Sequence, residues 1–377
     1  MPVQAAFNLN PNEIFASIAN MIISQQVFAD NLGKHQTLVD KARVDGGLYG
    51  DKKLYYATDV LKSHPWGNDA EASNLLSLDR PADPEVQDIT LDVFRQIRLT
   101  VDNYLSKRAW SNEGAFSEFN SVMLGWMRET KRVYDGTLYN VFIGSTETSV
   151  GKQIQSIDIT TAVGSATGEE ANRLEAEAIA QHIADLLVEM GDYSRDFNDY
   201  GFLRSYAEDA IKVVWNAKFV NKIRKVDLPT IFHKEGLVDK FEEDVLPERY
   251  FGRAIAESDI GSGKVIGTDG AYDSTKGTLR AAKEFDYNNV HYFPGDALAT
   301  SGTYVAVVGG LEVSQVYLEE DDVICKVLVK LPPMMSAFEV GTSFFNPRSL
   351  TENHYLTFGH NTLEYLKNYP FITIKAI

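Results

Sequence analysis

Between Asp88 and Tyr104 the chain reads DITLDVFRQIRLTVDNY. Ile89, Leu91, Val93, Ile97, Leu99 and Val101 take one set of alternate positions, with Arg95 the exception. Asp88, Thr90, Asp92, Gln96, Arg98, Thr100 and Asp102 take the other set, with Phe94 the exception. A period of two predicts a strand with one apolar face. Held for about fifteen residues, it predicts a ribbon on the order of 45–50 Å long, where a typical strand has roughly five or six residues. An earlier extended segment, 52-KKLYYATDVL-61, sets Leu54, Tyr56, Thr58 and Val60 on one face. Residues 62–85 between them are rich in Pro, Gly, Asn and Asp and predict a loose tip. The two arms together predict an extended β-hairpin. A two-stranded ribbon alone is marginal in water, so its apolar face is expected to lie on another molecule.

The period then changes. Over 111–144, Phe116, Phe119, Met123, Trp126, Val133 and Val141 recur at three- and four-residue steps, with Thr130 and Thr137 on the same stripe. Val122, Met127, Tyr134, Leu138 and Phe142 widen it. This predicts a helix roughly 43 Å long, well beyond the usual average of about eleven or twelve residues. Helical spacing of Ile14, Ile18, Ile22 and Phe28, with Phe15 and Met21 alongside, predicts another over 12–32, followed by a flexible connection at 33–50. Residues 152–163 read as a strand. A helix follows, with Thr167 and Glu170 spaced as a capping box, a stripe of Ala171, Leu174, Ala178, Ile183, Leu186 and Met190, and Gly191 as its stop. Residues 210–225 read as a strand passing into a helix near Asn216, and 226–300 as loops with short elements. Strands are expected at 303–318 (broken at Gly309 and Gly310), at 323–331 and at 369–377.

Composition narrows the class. With 377 residues, 44% hydrophobic and 24% charged, the chain is long enough for two or three packed domains. A net charge of −17 repels polyanions at long range, which disfavours general DNA binding. The single cysteine, Cys325, rules out an intramolecular disulfide. No window approaches 18 consecutive apolar residues, so no transmembrane helix is expected. The first 26 residues lack a basic region and an uninterrupted apolar run, so no signal peptide is expected and synthesis in the cytoplasm is.

Catalytic chemistry is not legible. The seven histidines are scattered, with no HExxH and no metal-ligand spacing. The stretch 258-SDIGSGKVIG-267 fails as a phosphate loop, because Ser258 and Val265 stand where Gly and Ser/Thr are required. The stretch 196-DFNDYG-201 fails as a calcium loop at Tyr200 and Ala207. Glu319, Glu320, Asp321 and Asp322 read as a hairpin tip, solvated or bridging a cation. Cys325 alternates with Val323 and Val327 and is expected in a core. Lys212, Lys218, Lys222, Arg224 and Lys225 form the one basic cluster, read as a solvated helix face, or as a surface for packaged polyanion or an acidic neighbour. No cofactor is expected.

The order of elements resembles the major capsid protein of tailed double-stranded DNA phages, the Hong Kong-97-type capsid fold. The likeness is carried by 98-RLTVDNYLSKRAW-110 leading into the long helix, and by the ending 344-FFNPRSLTENHYLTFGHNTLEYLKNYPFITIKAI-377, similar to podovirus-like capsid proteins. It implies an α+β fold with residues 1–45 as an N-terminal arm and 46–106 as an extended loop (the E-loop) lying over an adjacent subunit. Residues 107–160 would form a peripheral P-domain with a spine helix at 111–143, and 161–320 mainly an axial A-domain. Residues 321–377 would return to the sheets of both. Intersubunit contacts would come from Leu54, Tyr56, Val60, Trp66, Ile97, Leu99 and Val101 in the loop, and from Phe15, Ile18 and Ile22 in the arm. The partners implied are other copies of the chain in hexamers and pentamers, packaged double-stranded DNA, and scaffolding and portal proteins. An encapsulin-like compartment shell shares the fold, and an α/β enzyme with an unrecognised site is the reading from a different class. Aspartate at Leu99 and Val101 is expected to leave a soluble subunit that forms no shells.

Overall fold

A computed structural model describes residues 37–46, 52–63, 78, 80–102, 113–146, 152–220, 242–255, 271–273, 277–287, 289–298, 304–306 and 313–377. The predicted helix at 12–32, the residues 103–110 and the end of the basic cluster lie outside them. The chain divides into two compact units. One comprises Met1–Asp51, Thr90–Asn140 and Pro333–Leu363; the other comprises Lys52–Ile89, Val141–Pro332 and Glu364–Ile377.

The first unit is a sheet with a helix on one face. Its strands are β1 (Arg43–Asp45), β3 (Glu85–Asp102), β16 (Met334–Asn346) and β17 (Thr351–Asn361), in the order β1-β16-β17-β3. A short helix α1 (Thr37–Ala42) leads into β1. The long period-two segment is one strand of 18 residues, and from residue 87 to residue 101 its odd positions are buried or half-buried while its even positions are exposed. The two predicted arms do pair, β2 (Lys52–Ala57) standing next to β3 in the sheet, but the ribbon is not two-stranded. From Leu91 to Asp102 the strand pairs antiparallel with β17, and β17 pairs with β16. The partner is thus supplied by a hairpin some 250 residues further on, which local periodicity does not reveal. The earlier arm, β2 (Lys52–Ala57), has 6 residues and lies beside the opening of β3, where Lys52 and Asp88 form an ion pair.

The long helix α2 (Glu113–Gly144) has 32 residues, as the pattern predicts. Of the predicted stripe, Met127, Tyr134 and Val141 are buried, but Trp126 is 41% exposed and Val133 half-buried, while the unpredicted Lys131, Asp135 and Tyr139 are buried. The difference has a physical cause. Two of the inward positions are charged, and Lys131 Nζ reaches Asp135 Oδ2 at 3.0 Å one turn away. Asp135 also faces the Arg43 guanidinium of β1 at 3.5 Å, and Lys131 faces Glu339 of β16 at 3.6 Å. A hydrophobic count scores such paired charges as surface residues.

Tyr134 joins α2 to the sheet. Its ring centroid is 5.7 Å from that of Phe358 and 5.6 Å from that of His360, and the Arg95 guanidinium lies 5.0 Å from its centre. His360 Nδ1 lies 2.8 Å from the Asn361 carbonyl oxygen, which only accepts, so Nδ1 carries the proton. Nε2 then accepts from the Tyr134 hydroxyl at 2.9 Å. Both bonds fit the neutral ring.

The second unit has a five-stranded sheet in the order β5-β18-β15-β6-β7. These strands are β5 (Ile154–Ile157), β18 (Phe371–Ala376), β15 (Val323–Leu328), β6 (Lys212–Asn216) and β7 (Glu242–Leu246). The helix α4 (Glu169–Gly191) adds Ala176, Ile179, Ile183, Leu186, Leu187 and Met190 to a core shared with Val213, Trp215, Ile324, Val327, Ile372 and Ile374. Every residue of β15 is buried. Among them, the ammonium of Lys326 donates to Thr373 Oγ1 at 2.7 Å and to the Ser145 carbonyl, and lies 4.1 Å from the centre of the Phe371 ring. A smaller sheet, β10 (Leu279–Ala281), β14 (Val316–Glu319), β8 (Gly252–Arg253) and β4 (Ser145–Thr146), covers a second core around Phe285, Tyr292 and Leu298.

Three local readings are corrected. The predicted strand 152–163 stops at Ile157, because Asp158 accepts from the Thr161 N–H at 2.8 Å and starts the short helix α3 (Ile159–Val163). The N-cap of α4 is Gly168, with no side-chain cap, so Thr167 and Glu170 form no capping box. The segment 334–361, left unassigned from sequence, supplies the two longest strands after β3.

Burial holds the His360 imidazole below its ordinary value of 6.5, and the Arg95 charge adds to this; the Asn361 carbonyl and Asp135 oppose it. A lowered histidine value means that the unfolded chain binds the extra proton first. Stability from this group is therefore complete above about 6.5 and falls as pH drops through 6.5 towards the folded value. His360→Gln is expected to lose about 1–2 kcal/mol at pH 7.5 but to decline less steeply than the parent between pH 7 and 5; parallel denaturation curves over that range would refute the assignment. In α2, a methyl group at Gly125 meets no described atom within 4 Å, whereas one at Gly144 collides with the Tyr250 carbonyl. Thermal melts should show Gly125→Ala more stable by about 0.5–1 kcal/mol and Gly144→Ala less stable by roughly 1–3 kcal/mol.

Candidate assembly surface

Strand β2 alternates in the second unit. Lys53 and Tyr55 are half-buried and Ala57 is buried, while Leu54 and Tyr56 point outward at 45% and 65% exposure. The chain then continues outside any helix or strand through Val60 and Leu61, both exposed. Asp59 anchors this run. Its Oδ1 accepts from the N–H of Leu203 at 3.0 Å and of Val60 at 2.9 Å, and its Oδ2 accepts from Arg195 at 2.7 Å. Those bonds, the Leu203 amide first and then the Arg195 guanidinium, lower the Asp59 carboxyl to about 2. Val60 borders a cleft of about 610 Å³ with Gly191, Tyr193, Leu203 and Tyr206. Leu54, Tyr56 and Val60 are thus solvent-facing within the chain. Trp66, Phe15, Ile18 and Ile22 lie outside the described residues.

In the first unit the sheet has two unlike faces. Ile97, Leu99 and Val101 share the side of Arg95, turned to α2. The first two are half-buried and Val101 is 4% exposed. Aspartate at Val101 would therefore disrupt the subunit itself, and the expectation of a folded, assembly-dead Leu99/Val101 variant is withdrawn. The opposite face carries cross-strand polar pairs. Gln96 donates to Thr357 Oγ1 at 3.1 Å, and Thr100 donates to Asn353 at 2.7 Å. Beside them Phe94, Val340 and Phe344 are exposed, and Phe94 lies over Gly359, which has no side chain to block it.

Beyond the short outer strand β1, strand β16 forms the edge of this sheet. Its first three residues pair with β1, and from Glu339 to Phe345 it is exposed on both faces, with no further strand partner among the described residues. After Glu339 the run VGTSFFN has no charge and no proline, the devices that usually protect an edge. Phe344 and Phe345 are 60% and 49% exposed and point to opposite sides. Sequence reading missed this strand. Its β-branched and aromatic content was a usable signal, but Gly341 and two consecutive Phe residues break the alternation.

The acidic run is neither a hairpin tip nor solvated throughout. β14 and β15 belong to different sheets, and Glu319–Asp322 connects them. Glu319 accepts from Arg280 at 2.9 Å; Glu320 accepts from Lys375 at 2.7 Å and from Thr146 at 3.1 Å and pairs with Arg253 at 3.1 Å; Asp321 meets Lys218 at 3.3 Å. Desolvation raises the Asp322 carboxyl above its usual range. Lys218, from the basic cluster, also holds Glu248 at 3.1 Å, so it is committed within the chain. Among the described residues no three His, Cys, Asp or Glu side chains are arranged to hold a metal ion, and no helix is long and apolar enough to cross a membrane. Cys325 is fully buried, and burial pushes its thiol far up. In the 196–201 stretch, Asn198 exchanges two hydrogen bonds with the Phe202 backbone, and Asp199 accepts from Gln153 and Tyr365. That loop is structural.

No protein-family profile matches the chain, and no curated protein matches it by sequence. Solved structures do. A chain in the capsid structure of Staphylococcus phage Andhra superposes with a TM-score of 0.53 at 9% identity, covering 89% of this chain and 83% of that one. A chain in the structure of the head fiber and inner core protein gp22 of native bacteriophage P68 gives a TM-score of 0.57 at 10% identity, with the same coverage of 89% and 83%. The long helix over a β3-β17-β16 sheet, and the five-stranded sheet under α4, therefore constitute the α+β, Hong Kong-97-type fold of phage capsid proteins.

Proposed function

We propose that this chain is a structural shell subunit, the major capsid protein of a tailed double-stranded DNA phage. It assembles as hexamers and pentamers of an icosahedral head around packaged DNA, with scaffolding and portal proteins as assembly partners. It acts without catalysis, is assembled in the host cytoplasm and resides in the virion. The observation that carries this reading is the fold, shared over 89% of the chain with a chain from a phage capsid. The surface agrees with it: an edge run without charge after Glu339, with exposed Phe344 and Phe345, and an outward apolar set at Leu54, Tyr56 and Val60 are surfaces that a neighbouring subunit would cover. A net charge of −17 suits a container that must not grip its DNA.

In this reading residues 1–45 are the N-terminal arm, with Phe15, Ile18 and Ile22 as contacts, and 46–106 are the E-loop. Residues 107–160 are the P-domain with α2 as its spine, 161–320 are mainly the A-domain, and 321–377 return to the sheets of both. Leu54, Tyr56, Val60 and Trp66 are the loop residues laid against a neighbour. Ile97, Leu99 and Val101 hold the ribbon on α2 and so contribute to assembly indirectly.

The purified chain should elute at megadalton mass, or as rings of five or six, by size exclusion with light scattering, and electron microscopy of the heavy peak should show closed shells. Phe344→Asp combined with Leu54→Asp, both at exposed positions, should leave the melting temperature within a few degrees of the parent and abolish the heavy peak. A 42 kDa monomer that persists with every co-expressed scaffold, or normal shells from the double variant, would overturn the reading.

A further inference from the structure

Two stems of the second unit, 56–61 and 85–87, are held by polar side chains more than by apolar packing. On the first stem, Tyr56, Val60 and Leu61 are 65%, 50% and 77% exposed, so little apolar surface pins it. The Asp59 carboxylate takes the Leu203 N–H and the Arg195 guanidinium, and Arg204 donates to the Thr58 carbonyl. On the second stem, Gln87 is 8% exposed. Its amide donates to the Tyr365 carbonyl at 2.9 Å and accepts from the Lys367 N–H at 3.0 Å, as a neighbouring peptide group would.

Both stems are gripped by one platform. The Asp199 N–H donates to the Lys367 carbonyl at 2.9 Å, and the Tyr365 hydroxyl donates to Asp199. Arg204 reaches Asn368 at 3.3 Å, and the Tyr206 hydroxyl reaches the Asn368 carbonyl at 3.2 Å. The loop 194–206 is closed on itself by paired backbone bonds between Ser194 and Arg204, both 2.9 Å. Thus the segments 194–206 and 365–368 are cross-tied, and each holds one stem. Side chain-to-backbone bonds of this kind fix direction at low apolar burial, and they are the class of contact that opens locally without global unfolding.

We propose that Asp59 and Gln87 are positioning residues: they fix the stems 56–61 and 85–87 on the 194–206 and 365–368 segments, and with them the approach of Leu54, Tyr56 and Val60 to a neighbouring copy. The second half of this statement rests on the shell-subunit reading; the clamp itself does not. Because the Asp59 carboxyl lies at about 2, the clamp stays charged across the ordinary pH range.

The test uses the full chain with Asp59→Ala, Gln87→Ala and the conservative Asp59→Asn, which keeps an acceptor for the two N–H groups. Hydrogen exchange on the unassembled chain reads the clamp directly. The alanine variants are expected to speed exchange at Leu203 (for Asp59) and Lys367 (for Gln87) at least tenfold, leave amides of β15 unchanged, and lower the yield of closed particles at least tenfold. Asp59→Asn should recover most of both; it also serves as the test variant if Asp59→Ala does not fold, with a smaller increase at Leu203 expected. Unchanged exchange at Leu203 and Lys367 would overturn the clamp. Faster exchange with parental yield and regular particles would overturn its positioning role. A parent chain that exchanges as expected but never assembles would overturn the shell reading and the positioning role with it, leaving only the clamp.

Discussion

The register of β3 against β17 is the constraint on which the first unit depends. Side chains on a strand alternate, so a slip of one residue would turn Ile97, Leu99 and Val101 to water and send Gln96, Arg98 and Thr100 to α2. Several contacts resist that slip. Asp92 accepts from both the N–H and the hydroxyl of Thr362 at 2.6 Å, just past the end of β17. Thr100 meets Asn353 at the far end of the pairing. Phe94 needs the space left by Gly359. Asn361 closes the other side by accepting from the Met335 N–H at 2.7 Å and donating to the Pro333 carbonyl at 3.2 Å. These are polar or steric devices laid over an apolar pattern. The pattern says which face is inward, and the devices say which residue meets which.

Charge in this protein is sorted locally, despite an overall excess of acid. Lys131 and Asp135 sit within α2 at 6% and 3% side-chain exposure, with Arg43 and Glu339 completing the set. Each carboxylate of the 319–321 run has its own cation. Pairing buried charges is a condition for tolerating them more than a source of stability, since desolvation consumes most of the attraction. What such pairs give is specificity: Glu320 joins Arg253 of β8 to Lys375 of β18, so the two sheets of the second unit share a connection that apolar packing alone would leave free to slide.

The apolar surface left outward is concentrated on extended elements. An edge such as Glu339–Phe345 is a hazard for a protein that lives alone and an asset for one that assembles. The loop stems are held by hydrogen bonds, and Leu54, Tyr56 and Val60 stay outward, where the proposed shell would cover them.

Where spacing was regular and the buried side uniformly apolar, the sequence alone determined much of this protein. The 18-residue strand, its inward face, the 32-residue helix, the buried β15 with Cys325, the stop of α4 at Gly191 and the closing strand all follow from residues within one or two turns of each other. Tertiary structure decided the rest. It chose β17 as the partner of β3, because pairing across some 250 residues leaves no trace in local period. It added Lys131 and Asp135 to the buried line of α2, because each charge is tolerated only through the other. It turned the acidic run into ion pairs and Asp59 into an anchor, because a carboxylate's role depends on which cation or N–H the fold brings to it, and the chain holds those groups far away in sequence.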